Sequence, residues 1–169
     1  MKNSPLDLAI ELEKKGHEYY QKHAATAENP LAKKVLSSLA SQELDHIDDI
    51  KEIAEGKKLF DPDSDQAIDD LEAEVKEVFN NFSKQERQGW KAENKKVYEH
   101  AMKLEKDIYE TYQQLAEEAE DEDQKKFFQS LMKEESKHLE AIENVYFYLT
   151  KPKEWLAQEE SKVWNWMNL

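Results

Sequence analysis

Apolar residues recur at spacings of three and four along four separate stretches of the chain, the pattern of a helix that buries one face. The first stretch spans residues 5–28 and turns Leu6, Ala9/Ile10, Glu13, Gly16/His17, Tyr20 and Ala24 inward. Ser4 is a natural N-cap for it, Pro5 suits the first helical position, and Asp7 completes a capping-box pattern. Asn29-Pro30 stops this helix and caps a second one, which runs to Gly56 and buries Val35/Leu36, Leu39, Glu43, His46/Ile47 and Ile50. A third, over about residues 91–120, carries Val97, Ala101, Leu104/Glu105, Ile108, Tyr112 and Leu115/Ala116. After an acidic turn at 120–123, the fourth spans about 122–149 with Phe127/Phe128, Leu131, Glu135, His138/Leu139, Ile142 and Val145/Tyr146. Each stripe would be an ordinary core face except that carboxylates or imidazoles interrupt it near the middle.

These four helices are two copies of one unit. A shift of 92 positions lays residues 9–50 on 101–142 without a gap, and 17 of the 42 pairs are identical, among them Leu12/Leu104, Glu13/Glu105, Tyr20/Tyr112, Leu39/Leu131, Glu43/Glu135 and His46/His138. Two copies are too few for a solenoid, which needs several repeats to bury a continuous core. They predict two helical hairpins packed as one all-α four-helix bundle over residues 1–150.

Residues 57–91 have no counterpart in the repeat. Asp61-Pro62-Asp63-Ser64 reads as a turn, and Ile68, Leu71, Val75, Val78/Phe79 and Phe82 form a further helical stripe. The span is expected to be a long crossover carrying an extra helix, as a bundle whose second and third helices run the same way requires. Residues 151–169 hold three of the four tryptophans, Trp155, Trp164 and Trp166, and are expected to form a helical extension packed on the bundle or across a dimer.

Composition narrows the function. A net charge of −14 repels nucleic acid and anionic membranes, so neither is expected as a partner. With no cysteine there is no disulfide, thiol nucleophile or iron–sulfur site within the chain. Neither a secretory leader nor a run of ~20 apolar residues is visible, and a cytoplasmic location is expected.

The chemistry comes from the inward charges. Of the five histidines, only His46 and His138 follow a glutamate by three residues, a spacing that puts both groups on one helix face. Glu43-x-x-His46 and Glu135-x-x-His138, with one glutamate each from the first and third helices, bring Glu13, Glu43, Glu105, Glu135 and two imidazoles towards one buried space. Burying four carboxylates together is unfavourable unless protons or cations neutralise them. Two divalent cations match four carboxylates in formal charge, and carboxylates can bridge metals ~3.5–4 Å apart.

In these residues the chain resembles the rubrerythrin-like branch of the ferritin-like di-iron carboxylate superfamily. The match rests on the segment from Leu12-Glu13 through His17 to Tyr20 with Glu43-x-x-His46, and on Leu104-Glu105 through Tyr112 with Glu135-x-x-His138. The resemblance implies that Glu13, Glu43, His46, Glu105, Glu135 and His138 ligate two iron ions, with Glu43 and Glu135 bridging. Manganese or zinc would also suit such ligands. Tyr20 and Tyr112 would donate hydrogen bonds to ligand carboxylates. It further implies a dinuclear oxidoreductase that reduces hydrogen peroxide or dioxygen, acting as a homodimer. Two departures stand out. There is no cysteine-rich iron domain, so an external electron-donor protein is required, and Ile108 stands where such proteins carry an extra glutamate. The alternatives are a ferroxidase or iron-handling protein, or a bundle whose metals only hold the fold. His17, one turn after Glu13, is a candidate seventh ligand or proton donor, against a polar contact at the pocket edge. His23 and His100 read as structural or exposed.

Overall fold

The computed structural model describes residues 4–55, 95–151, 153–155 and 157–158. Four long helices account for nearly all of them: α1 (Pro5–Thr26), α2 (Pro30–Ala54), α3 (Lys95–Glu118) and α4 (Glu122–Thr150). No strand occurs among the described residues. The starts of the helices follow from their caps. The Ser4 hydroxyl accepts the Asp7 N–H while Asp7 accepts the Ser4 N–H, closing the expected capping box. Asn29 accepts the Ala32 N–H at the head of α2, and Asp121 accepts the N–H groups of Asp123 and Gln124 at the head of α4. Asn29 and Asp121 are repeat equivalents, so the internal duplication extends to the caps.

The helices pack chiefly as hairpins, α1 on α2 and α3 on α4, and the hairpins meet along α1–α3 and α2–α4. Cross-bundle hydrogen bonds give the directions. Tyr20 reaches Glu105 while Tyr112 reaches Glu13, so α1 and α3 are antiparallel. His46 reaches Glu134 while His138 reaches Gln42, so α2 and α4 are antiparallel too. It follows that α2 and α3 run the same way, which places Ala54 and Lys95 at opposite ends of the bundle and explains the length of chain between the hairpins. The expected crossover helix within 57–91 lies outside the described residues.

Two apolar clusters fill the bundle, one on each side of a polar layer. One contains Tyr20, Val35, Leu36, Leu39, Ala101 and Ile142; the other contains Tyr112, Phe127, Phe128, Leu131, Ala9 and Ile50. The 92-residue shift exchanges these two sets member for member. Leu39 and Leu131 illustrate the energetics: both are buried, and truncating such a leucine to alanine costs about 2–5 kcal/mol. The first cluster also takes in Tyr98 and Trp155. Trp155 belongs to a helical turn at 153–155; Trp164, Trp166 and most of the expected helical extension lie outside the described residues. One detail of phase differs from expectation. Tyr98, not Val97, is the buried residue at the start of α3, and Val97 is half-buried.

Candidate metal centre

The polar layer between the clusters consists of the six residues singled out by the repeat. Each sits near the middle of its helix, about half of a 22- to 29-residue rod from either end. Glu13, Glu43, Glu105 and Glu135 have no solvent exposure, and His46 and His138 retain 5% and 1%. Tyr112 donates to Glu13 Oε1 and Tyr20 to Glu105 Oε1, which fixes the two outer carboxylates from across the bundle. The imidazoles stack across the pseudo-twofold axis, ring centroids 5.5 Å apart and planes 11° from parallel.

Both imidazoles turn Nδ1 into the layer. His46 Nδ1 lies 3.3 Å from Glu13, 3.5 Å from Glu43 and 3.7 Å from Glu135. His138 Nδ1 lies 3.4 Å from Glu43, 3.5 Å from Glu135 and 3.8 Å from Glu105. The donors thus form two groups, Glu13–Glu43–His46–Glu135 and Glu43–Glu105–Glu135–His138, each with its ligand atoms within 4.8 Å of one another. Donors on opposite sides of a metal at ~2.1 Å would be ~4.2 Å apart, so each group is close to coordination size. Glu43 and Glu135 belong to both groups.

The electrostatics show what such a cluster demands. Burial, and then the adjacent Glu43 carboxylate, pushes Glu13 up to about 8. Burial and Glu135 hold Glu105 well above the usual carboxylate range. Burial and Glu135 also act to raise Glu43, yet Glu43 falls below the ordinary value because the neighbouring Glu13 and His138 favour its charged form. Burial disfavours charge on His46 and His138, but the facing carboxylates prevail, Glu13 for His46 and Glu135 with Glu43 for His138, and both rise well above the ordinary value. Without cations the layer is tolerable only by taking up protons.

Protons do not satisfy all of it. Both oxygens of Glu43, both of Glu135, Glu105 Oε2 and His138 Nδ1 are buried without a hydrogen-bond partner. Buried polar atoms are almost always paired, and these unpaired ones all belong to the two donor groups. The residues present therefore fit divalent cations, with mixed carboxylate–imidazole ligation suited to iron, manganese or zinc.

Three residues around this layer escaped the sequence reading. Glu134 accepts His46 Nε2–H at 2.5 Å, and Gln42 Oε1 accepts His138 Nε2–H at 3.1 Å. Gln42 is held the right way round because its amide nitrogen donates to Ser38 Oγ. They are repeat equivalents, each immediately preceding a Glu-x-x-His, and that shared position was the available signal. Gly16, placed on the inward stripe but given no role, is the third: a Cβ there would lie 3.2 Å from Glu43 Cδ and Oε1, so the glycine gives the Glu43 carboxylate its room. His17 is in neither donor group; its Nδ1 donates to the Ala40 carbonyl at 2.6 Å, the polar edge contact rather than a ligand. His100 is exposed, and His23 is half-buried against Tyr19, as expected of residues outside the site.

An antiparallel bundle with two Glu-x-x-His helices, two further glutamates and a shared central pair of carboxylates defines the ferritin-like class of dimetal carboxylate proteins. Within that class, the Rubrerythrin family model matches residues 5–146, and the chain belongs to that family. No curated protein and no solved structure matches it. No described helix is long and apolar enough to cross a membrane.

Proposed function

We propose that this protein is a dinuclear non-haem iron oxidoreductase that reduces hydrogen peroxide or dioxygen with electrons from a separate donor protein. The observation that carries the reading is that two four-residue donor groups share Glu43 and Glu135, the arrangement needed to hold two cations side by side. Glu43 and Glu135, common to both groups, would be shared between the two cations, with Glu13 and His46 holding one and Glu105 and His138 the other. When bound, a pair of ferrous ions supplies the two electrons that convert one hydrogen peroxide and two protons into two waters.

The protein's own residues supply the rest. Tyr112 and Tyr20 keep Glu13 and Glu105 from rotating away, and the Nε2–H anchors keep each Nδ1 aimed inward. The apolar clusters above and below exclude bulk water, which strengthens every electrostatic contact in the layer. Gly16 leaves Glu43 space to change its mode of contact. In this reading an external partner delivers the electrons, and the working protein is a cytoplasmic homodimer.

One observation favours a second reading. Ile108 stands where rubrerythrins carry an additional glutamate, which leaves the six-ligand set of bacterioferritin-type centres and makes iron oxidation for handling or storage the alternative. Stopped-flow absorption of the ferrous-loaded protein mixed with hydrogen peroxide or dioxygen tests the proposal. An oxidation transient with either oxidant is expected; a loaded protein inert to both has a structural site only. Native sizing that gives a large cage favours the iron-handling alternative.

A further inference from the structure

The two halves of the centre match at every inward ligand: Glu13 with Glu105, Glu43 with Glu135, His46 with His138, and Tyr20 with Tyr112. They differ one atom further out. His46 hands its Nε2–H to a carboxylate, Glu134, and His138 hands its own to a neutral amide, Gln42. We propose that this exchange makes the two metal positions inequivalent. The position lined by Glu13 and His46 binds its cation first and more tightly, and better stabilises the oxidised ion, than the position lined by Glu105 and His138. The inference rests on the dimetal reading above.

The contact distances, 2.5 Å against 3.1 Å, follow the difference in chemistry, since hydrogen bonds to an ionised acceptor are shorter and stronger. A carboxylate pulling on Nε2–H makes Nδ1 a better electron-pair donor and adds a negative charge to the surroundings of the cation. An amide orients the ring equally well and adds no charge. Glu134 keeps 20% of its side chain exposed, so water tempers its field without removing it. Since the tyrosine contacts of Glu13 and Glu105 are alike, they do not offset the bias. Glu134 and Gln42 are positioning residues here, acting on the metals only through His46 and His138.

The test is stepwise Co(II) titration of the metal-free full-length protein, followed by absorption and calorimetry, in wild type, E134Q and Q42E. Repulsion between two cations separates the steps whatever the ligands, so the variants decide. E134Q is expected to weaken the first step by about 10–100-fold and bring it towards the second. Q42E is expected to strengthen the second step and so narrow the gap from the other side. Mössbauer spectra of the protein loaded with two equivalents of ⁵⁷Fe(II) provide a second readout, two distinct ferrous doublets in wild type that converge in either variant. If the wild-type positions were equivalent, E134Q would instead widen the gap between steps; that result, or a Q42E protein no tighter than wild type, overturns the proposal. A wild-type protein that takes up no metal at all fails the dimetal reading itself, a separate outcome.

Discussion

The two hairpins of this bundle are copies that have diverged under different constraints. Where a residue faces the shared layer, the copies agree to the atom type. Where it stands just behind, they part: Gly16 against Ile108, His17 against Tyr109, Gln42 against Glu134. In the apolar clusters, Val35 and Leu36 of the first hairpin correspond to Phe127 and Phe128 of the second. The smaller pair lies in the cluster that Tyr98 and Trp155 also enter, so side chains from outside the repeat supply bulk on that side. Packing volume can be redistributed among neighbours in this way, because cores tolerate swaps that conserve total volume. A buried array of charges has no such freedom, since removing one member leaves its partners unbalanced. The comparison thus separates what the centre requires from what each half was free to vary.

The largest effect is expected from breaking the identity at its core. Glu43→Ala and Glu135→Ala should each abolish dinuclear binding, because each removes a carboxylate common to both donor groups. The metal-free variants should stay helical, since losing one acid relieves repulsion in the layer. Circular dichroism beside metal analysis checks both parts. Glu13→Ala and Glu105→Ala, which touch one group each, should retain one metal.

Next in size is the effect of pH, and the sign can be worked out. Glu13, Glu105, His46 and His138 all have native values above their ordinary ones. Over that range the metal-free folded state binds more protons than the unfolded chain, so its stability falls as pH rises. For Glu13 the window runs from its ordinary 4.5 to about 8; for the histidines it opens at about 6.5 and extends upward. Glu43, displaced the other way, loses stability only below the ordinary carboxylate range. Metal binding needs the same groups deprotonated, so occupancy should fall with acidification. The gain in melting temperature on adding metal should therefore widen from pH 5 to pH 8, a trend that calorimetry of paired samples reads directly. Full occupancy near pH 3 would contradict it.

The tyrosines provide a smaller, symmetric test. Tyr112→Phe leaves Glu13, and Tyr20→Phe leaves Glu105, without its cross-bundle donor. Each loss should cost about 1–3 kcal/mol, and the two variants should resemble each other in melting temperature. A large disparity between them would mean that the halves differ in the inner layer as well.

Much of this was legible in the sequence because the repeat and the helical period are strong local signals. The start of α1 and the break between α1 and α2 follow from Ser4, Pro5, Asn29 and Pro30, whose capping chemistry acts within one turn. The six inward residues were legible because glutamate on an apolar stripe stands out, and because each was seen twice. Glu134 was not: in a chain with 38 acidic residues, one more glutamate beside a ligand looks like solvated surface. Gln42 hid because a neutral polar residue beside a ligand also reads as solvated surface. Their partners lie on another helix, and helical period tells which face a residue takes but not which opposing side chain it meets. Tyr98 fell outside the matched 42-residue window, so nothing corrected the phase chosen at the start of α3.

The smallest predicted effect belongs to Gly16→Ala. Alanine should stabilise the metal-free helix by about 1 kcal/mol over glycine. Its Cβ would also press on Glu43 at 3.2 Å and shift the carboxylate by a few tenths of an ångström. A variant with equal or higher metal-free melting temperature and weaker metal binding is therefore expected, and titration against thermal denaturation separates the two.

The central claim is that one buried layer, fed by all four helices, holds two cations through a common pair of carboxylates. Quantitative metal analysis of the natively purified protein beside its Glu135→Ala variant tests this most directly. Two iron ions per chain in wild type, falling to one or none in the variant, is the predicted result. A wild-type protein devoid of metal, or a variant that still carries two, would contradict it.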